Sequence, residues 1–255
     1  MWELGNYARI AELIAGMGRD LVAAADVRPG QRVLDVAAGT GNAAIPAARA
    51  SADVTALDVT PQLLDVGRRA AGELPIEWVA GDATKLPHAD GEFDVVLSAV
   101  GAMFAADQEA TARELVRVCR PGGLVALANW TPDGGVGRFF ALLARYQAGP
   151  PDGPSPTRWG DPEQVRALFD GQPVQSEHRV VEYGFTGTPA ELAALYRDSF
   201  PPVIATRAAL DGDDARAAFD RDLVDLLAAE NEGLPGGPGR WRFGWLLVRV
   251  RVRVK

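Results

Sequence analysis

Cysteine and histidine are both scarce in this chain of 255 residues, which contains one cysteine and two histidines. A single thiol cannot form an internal disulfide, so we expect a reducing, cytoplasmic environment. Cys119 falls in an apolar stretch that we predict to be helical, where a buried, unreactive thiol is expected. The histidines lack the clustered Cys, His or carboxylate neighbours of a zinc site, so no bound metal is predicted.

Long apolar runs and excess positive charge are also absent from the sequence. No apolar run reaches about 18 residues, the length of a membrane span, and the first residues carry no signal-peptide core. Lys and Arg number 26 against 34 for Asp and Glu, which gives a net charge of −8. Because an acidic surface repels phosphate backbones, we expect neither nucleic acid nor a membrane as a partner. The sequence leaves open whether the protein is a monomer or a homodimer.

Apolar segments with strand character alternate with helical segments along the first half of the chain. We predict strands at 32–37, 53–59, 76–83, 93–100 and 124–130, after a first helix at 7–25. Strands that are apolar throughout and separated by helices are typical of a parallel sheet covered on both faces. The sequence therefore predicts an α/β fold.

The pattern changes after residue 130. We predict helices at 135–147, 162–169, 189–199 and 213–231, a Pro/Gly-rich loop at 150–162, an extended segment at 176–185 and a closing strand over WRFGWLLVRVRV. We assign the core of the fold to residues 1–130, 176–185 and 240–255. The segments 131–175 and 186–239 are predicted to form a helical and loop lid on the substrate side.

The stretch VLDVAAGTGNAA (33–44) joins a predicted strand to a predicted helix through a loop of small residues. Gly39, Gly41 and Ala44 fit the spacing G-x-G-x-x-A, which lets the backbone approach a nucleotide-bearing cofactor closely. By itself this motif does not distinguish a nicotinamide dinucleotide from other ligands of this kind.

Three carboxylates near the predicted strand ends narrow the choice of ligand. Asp35 precedes the glycine loop, where it would repel a pyrophosphate and attract an ammonium group. Asp58 ends the second predicted strand and can accept two hydrogen bonds from a ribose diol. Asp82 can accept a hydrogen bond from an adenine amino group, and the Ala83 N–H can donate one to a ring nitrogen. An amino acid, a ribose and an adenine together make up S-adenosylmethionine.

The segments VLDVAAGTGN, ALDVTPQLLDVGRR, GDATKLPHADGEFDVVLSAV and LVRVCRPGGLVALANW resemble the successive motifs of class I S-adenosylmethionine-dependent methyltransferases. The resemblance covers about residues 1–130 and is greatest to the branch with quinone-biosynthesis and natural-product methyltransferases. It implies a Rossmann-like, seven-stranded, mostly parallel sheet with helices on both faces and an antiparallel last strand between strands five and six. It also implies S-adenosylmethionine as the cofactor and S-adenosylhomocysteine as its product.

The resemblance further implies the cofactor-binding positions. Asp35 would help to hold the amino acid moiety, a backbone carbonyl at the end of the fourth strand, within Ser98 to Val100, would accept from its amine, and Tyr7 would close over the cofactor. The family commonly has a third glycine where this chain has Ala37, a departure that we expect to cost little. The predicted positions are Tyr7, Asp35, Ala37, Gly39, Gly41, Asn42, Asp58, Val59, Asp82, Ala83, Ser98 and Val100.

The methyl acceptor is harder to identify, because displacement at an activated sulfonium needs mainly alignment and exclusion of water. We predict transfer to an O, N or C atom of a small, apolar or aromatic molecule. His178 is the candidate general base, with a surface role as the alternative. Substrate contacts, with a core role as the alternative for each, are predicted at Met103, Phe104, Trp130, Phe139, Trp159, Tyr196, Phe200 and Trp241. The competing functions are an NAD(P)-dependent oxidoreductase and a non-catalytic binding module.

Overall fold

The computed structural model describes residues 2–147 and 153–254. Its centre is a seven-stranded sheet in the order β3-β2-β1-β4-β5-β7-β6. The strands are β1 (Arg32–Val36), β2 (Asp53–Asp58), β3 (Ile76–Ala80), β4 (Phe93–Ala99), β5 (Cys119–Trp130), β6 (Val174–Glu182) and β7 (Arg242–Arg251). All neighbours are parallel except β7, which runs antiparallel to both β5 and β6. The predicted fold class and the predicted place of the last strand are confirmed.

Helices surround this sheet. They are α1 (Tyr7–Leu13), α2 (Ala15–Ala24), α3 (Ala44–Arg49), α4 (Pro61–Ala71), α5 (Gln108–Val118), α6 (Gly135–Arg145), α7 (Pro162–Leu168), α8 (Pro189–Ser199), α9 (Pro201–Ala208) and α10 (Gly212–Ala229), with 3₁₀ segments at Ala102–Phe104 and Pro156–Gly160. Both α2 and α5 contact β4 and β5, and the central strands are buried on both faces. Within the described ranges, no helix is both long enough and apolar enough to cross a membrane.

Three local features differ from the sequence prediction. The helix predicted at 7–25 is interrupted at Ile14, whose backbone leaves the helical region. Helix α9 was not predicted because its two prolines resemble a break, yet proline is well tolerated in the first turn of a helix. Cys119 begins β5 instead of ending a helix, but it is buried as expected, and burial raises the pKa of its thiol to about 12.

The segment predicted as a lid divides into two parts. Helices α6, α8, α9 and α10 contact one another and, through α8, the helix α1; we call these five helices the helical layer. The segment 156–168 instead contacts α5, β5 and β6, and Trp159 is fully buried there, so this segment belongs to the layer that flanks the sheet. The predicted Pro/Gly-rich loop at 150–162 lies partly outside the described residues.

Helix α2 approaches the glycine loop so closely that Gly18 has no room for a side chain. A Cβ atom on Gly18 would lie 1.9 Å from the carbonyl oxygen of Asn42, whereas a Cβ on Gly16 of the same helix would meet no atom within 3.6 Å. We expect Gly18→Ala to lower the free energy of unfolding by about 1–3 kcal/mol, because the backbones must separate. Gly16→Ala should leave it unchanged or raise it by up to about 1 kcal/mol. Urea denaturation of both variants tests this, and equal effects would contradict the close approach.

Candidate active site

A cavity of about 280 Å³ lies at the carboxyl ends of the central strands. Its walls come from the loops that follow β1, β2, β3 and β4, and α1 and Trp2 line it as well. The chain order reverses between β1 and β4, and open α/β sheets bind ligands at such a reversal. The topology therefore places a ligand site where the glycine loop lies.

Asp58 organises this cavity. Its carboxylate is 6% exposed and accepts hydrogen bonds from the backbone N–H groups of Gly39 and Thr60, each at 2.8 Å. One oxygen therefore holds the glycine loop and the other holds the start of α4. Burial raises the pKa of Asp58, while these N–H donors lower it. A carboxylate has about four lone-pair positions, so two acceptors remain for the hydroxyls of a ribose.

Asp35 does not line the cavity, although a contact with the amino acid moiety was expected. It is 1% exposed at the end of β1, and Oδ2 accepts a hydrogen bond of 2.8 Å from the N–H of Ala44 at the start of α3. Its other oxygen has no hydrogen-bond partner within residues 2–147 and 153–254. Burial raises the pKa of Asp35 to about 7. Asp35 therefore holds the start of α3 and places a buried carboxyl group behind the cavity.

The backbone around the cavity has left-handed conformations at residues with side chains. Ala37 has φ 54° and Val100 has φ 59°, next to Gly39 and Gly41 with φ 54° and 86°. The left-handed region costs an L-residue about 1–2 kcal/mol, so the alanine at the first loop position is more strained than we expected from the sequence. Ala37 and Val100 both line the cavity, so the strain lies at the ligand site.

Most of the predicted cofactor positions come together in this cavity. The lining includes Tyr7, Ala37, Gly39, Asn42, Asp58, Val59, Asp82, Ala83 and Val100. Gly41 lies behind the loop, where a Cβ would be 2.8 Å from the ring of Trp78. Ser98 is buried and uses its hydroxyl within the protein, donating to the carbonyl of Val36 and accepting from the N–H of Ala102. These two residues, like Asp35, support the site without lining it.

The charges around the cavity favour a cation over a pyrophosphate. Asp58 and Asp82 line it, Asp35 lies behind it, and the described lining contains no Lys or Arg. Asp35 already accepts from the N–H at the start of α3, the group that a dinucleotide pyrophosphate would need. Val59 is 65% exposed at the cavity and offers an apolar surface to an adenine ring. An orphaned buried carboxylate oxygen, a diol acceptor and an apolar rim fit S-adenosylmethionine.

A second, smaller cavity of about 30 Å³ lies between the sheet and the helical layer. Phe139, Tyr196 and Phe200 line it, and the ring of Phe200 stacks at 6.2 Å on that of Tyr7, which lines the larger cavity. The two cavities therefore share an aromatic wall. Within the described residues, no cluster of three or more His, Cys, Asp or Glu side chains could hold a metal ion.

The predicted substrate residues divide between the cavities and the core. Phe104 lines the larger cavity, and Trp130, Phe139, Tyr196 and Phe200 line the smaller one. Met103, Trp159 and Trp241 are fully buried and line neither cavity, because they pack in the core. His178 is exposed on β6, the edge strand, and the structure does not bring it to either cavity.

Three functional candidates, Trp2, Phe140 and Tyr183, were not predicted from the sequence. Phe140 lines the smaller cavity and contacts Phe104 and Phe139. Trp2 lines the larger cavity and contacts Tyr7 and Phe104 edge-on, with ring centroids 5.2 and 5.0 Å apart. Tyr183 follows β6 and lines the smaller cavity. Trp2 precedes the first helix, so helical periodicity could not predict its position. For Tyr183, the aromatic residues of the extended segment could have indicated a role in a ligand site.

The fold and the site define a Rossmann-like enzyme that binds an adenosine-containing cofactor, and comparison with known proteins identifies the family. A methyltransferase domain matches residues 34–127. The uncharacterized protein Rv1403c of Mycobacterium tuberculosis is 40% identical over 250 residues, which are 95% of this chain and 90% of that protein. The chain belongs to the class I S-adenosylmethionine-dependent methyltransferases. It is an enzyme with S-adenosylmethionine as cofactor, which excludes the oxidoreductase alternative.

Further similarities extend over part of the chain or concern the fold. A demethylmenaquinone methyltransferase of Renibacterium salmoninarum is 43% identical over 113 residues, 44% of this chain and 47% of that enzyme. The YcgJ protein of Bacillus subtilis has the same fold at a TM-score of 0.61 and 18% identity, covering 93% of this chain and 99% of that one. Phosphoethanolamine N-methyltransferase 2 of Haemonchus contortus, solved with S-adenosylhomocysteine, has a TM-score of 0.56 and 16% identity, covering 94% and 53% of the two chains.

The raised pKa of Asp35 predicts a pH dependence of stability. An aspartate ionises near pH 4 in the unfolded chain but near pH 7 in the folded one, so stability should fall as pH rises through this window and level off above it. Asp35→Asn cannot ionise and should lack this fall. Between pH 5.5 and 8, the variant should gain about 2 kcal/mol relative to the parent, at about 1.4 kcal/mol per pKa unit. Urea denaturation without cofactor measures it, and a pH-independent difference would contradict the raised pKa.

Asp58 provides a second test, on cofactor affinity. Asp58→Asn keeps one oxygen for one of the two N–H groups and loses the other charge-assisted acceptor, so we expect about 10- to 100-fold weaker binding of S-adenosylhomocysteine. Asp53→Asn is the matched control, because Asp53 is exposed at the other end of β2 and should leave affinity unchanged. Calorimetric titration measures both, and equal affinities of Asp58→Asn and the parent would refute the ribose assignment.

Proposed function

We propose that this enzyme transfers the methyl group to an O, N or C atom of a small apolar or aromatic molecule. The observation that carries the proposal is the aromatic wall between the two cavities, formed by Trp2, Tyr7, Phe104, Phe139, Phe140, Tyr196 and Phe200. Ring centroids of neighbours in this wall lie 5.0–6.2 Å apart. Such a surface favours a flat, apolar ligand.

The proposed mechanism relies on positioning and on exclusion of water. The cofactor supplies a methyl group that is already activated on a positively charged sulfur. Asp58 and the glycine loop fix the direction of the cofactor, because Asp58 is itself held by two backbone donors. The aromatic wall holds the acceptor on the other side and keeps the reaction out of water. Alignment of this kind can supply most of the rate enhancement in a displacement that needs no strong acid or base.

The polar groups near the wall leave the identity of a general base open. His178, the candidate from the sequence, is on the exposed edge strand and carries no support from the structure. Glu230 lines the smaller cavity, but both of its oxygens accept hydrogen bonds from Arg138, at 2.6 and 2.8 Å. An acceptor whose nucleophilic atom ionises readily in solution fits a wall without a free base.

Similar proteins support an aromatic acceptor only in part. The relative from Renibacterium salmoninarum is named for demethylmenaquinone, and it matches over 44% of this chain. The fold neighbour from Haemonchus contortus is named for phosphoethanolamine, an acceptor of different chemistry. The same fold therefore accommodates different acceptors, and the aromatic wall of this chain is the stronger guide.

An acceptor screen tests the proposal. Release of S-adenosylhomocysteine should depend on naphthols, catechols or reduced naphthoquinones and should not occur with glycine or phosphoethanolamine. Phe139→Leu should lower kcat/KM for the acceptor by up to about tenfold without changing cofactor affinity, because it removes the stacking of Phe139 on Phe200 that shapes the wall, a contact worth about 0.5–1.5 kcal/mol beyond burial.

Phe185→Leu is the matched control for this variant. Phe185 packs on Trp241 and lines neither cavity, so its substitution should leave kcat/KM unchanged. Turnover confined to the aliphatic amines, or equal losses in the two leucine variants, would overturn an aromatic acceptor at this wall.

A further inference from the structure

Two buried tyrosine hydroxyls meet in the smaller cavity. Tyr183 follows β6, Tyr196 lies on α8, and their oxygens are 3.2 Å apart. Both side chains line the cavity and are less than 9% exposed. Their rings are held by edge-on contacts, Tyr183 with Phe243 at 4.7 Å and Tyr196 with Phe139 at 5.6 Å. The hydroxyl pair is therefore fixed in place within apolar surroundings.

One of the two hydroxyl hydrogens of this tyrosine pair is not used in the hydrogen bond between them. Two hydroxyls carry two hydrogens, and the bond between them takes one, in which Tyr196 donates to Tyr183. Neither hydroxyl has another hydrogen-bond partner among the described residues. A buried donor without an acceptor is unfavourable, so such groups in native proteins generally face a water molecule or a ligand. The spare hydrogen indicates a partner that accepts a hydrogen bond.

The two hydroxyls act as donors at neutral pH. Burial raises the pKa of Tyr183 to about 12 and the pKa of Tyr196 further above its ordinary value. Both therefore keep their protons and cannot serve as a base. The carboxylate of Glu230 faces the same cavity, where its ion pair with Arg138 balances its charge. The partner of the spare tyrosine hydrogen must itself carry a lone pair, as a hydroxyl or carbonyl oxygen does.

The position and size of the cavity link this partner to the methyl acceptor. Tyr196 contacts Phe200 edge-on at 5.4 Å, and Phe200 stacks on Tyr7 in the wall of the cofactor cavity. The free volume of about 30 Å³ holds a water molecule or a single oxygen substituent, but not a ring. A ring against the aromatic wall could place such a substituent beside the two hydroxyls.

We propose that the Tyr183–Tyr196 pair binds an oxygen atom of the methyl acceptor, so that the acceptor is an aromatic molecule with a hydroxyl or carbonyl group on its ring. This inference rests on the proposed aromatic acceptor and narrows its class. The two tyrosines are positioning and specificity residues. They bind either an oxygen that does not accept the methyl group or, through one lone pair, the accepting oxygen itself. Sites built to bind a substrate hydroxyl discriminate strongly against analogues that lack it.

A pair of probes that differ in one group tests the inference. 2-Naphthol and 2-methylnaphthalene have nearly the same shape, but only the first accepts a hydrogen bond. Both are titrated into the protein saturated with S-adenosylhomocysteine. We expect the parent to prefer 2-naphthol at least tenfold, and Tyr183→Phe and Tyr196→Phe each to reduce this preference to threefold or less. Both variants should retain affinity for 2-methylnaphthalene.

Tyr146→Phe is the control, because the hydroxyl of Tyr146 bonds to Asp222 and lines neither cavity. It should keep the parent's preference, and thermal unfolding and affinity for S-adenosylhomocysteine establish that each variant is folded. Equal binding of both probes to the parent, a preference unchanged in both phenylalanine variants, or an equal loss of both probes in a folded variant would overturn the inference but leave the aromatic acceptor standing. Binding of neither probe to the cofactor-loaded parent would overturn both.

Discussion

The site depends on two buried carboxylates that bind backbone N–H groups. Asp58 connects the glycine loop to the start of α4, and Asp35 connects the end of β1 to the start of α3. Burial of a carboxylate is costly unless such donors compensate it. Two of the three donors, the N–H groups of Thr60 and Ala44, lie at helix starts, where such groups have no partner within the helix. The same contacts therefore give these backbone N–H groups hydrogen-bond acceptors and fix the loop. They also concentrate negative charge at the cavity, where a cationic cofactor offsets it.

The strain in the loops follows from this arrangement. Ala37 and Val100 are held with positive φ although neither is glycine, and a Cβ on Gly101 would lie 2.6 Å from the Cβ of Ala37. The loops after β1 and β4 therefore touch, and they are close enough only because Gly101 is small. Strained backbone survives where its surroundings fix it, and here the buried carboxylates and the packed α2 do so. The loop side of the cofactor cavity is therefore held by these contacts, and its other side is formed by the packed rings of the aromatic wall.

The sequence was informative where chemistry is local and less so where distant segments meet. The strands, the place of the last strand and the position of the larger cavity could be predicted, because glycine spacing and strand-end carboxylates such as Asp58 lie within one continuous motif region. The role of Asp35 was only partly foreseen, since spacing cannot tell whether a side chain points toward a ligand or toward the next helix. Trp159 and Tyr183 show that sequence spacing is equally uninformative about the residues proposed to contact the acceptor. Both are aromatic and follow residue 130, but tertiary packing places Trp159 in the core and Tyr183 in the wall of a cavity.

The two cavities differ in polarity in the way that the proposed methyl transfer requires. The larger cavity is acidic, with no Lys or Arg in its described lining, and suits a positively charged cofactor. The smaller cavity, on the proposed acceptor side, is largely apolar and carries the two tyrosine hydroxyls. Tyr7 lies at the boundary, because it lines the cofactor cavity and stacks on Phe200 of the smaller one. During displacement the positive sulfur loses its charge and the nucleophile loses electron density, so the two groups that the boundary attracts are the bound reactants. The polarised boundary therefore serves alignment, while exclusion of water, which solvates separated charges, favours their neutralisation.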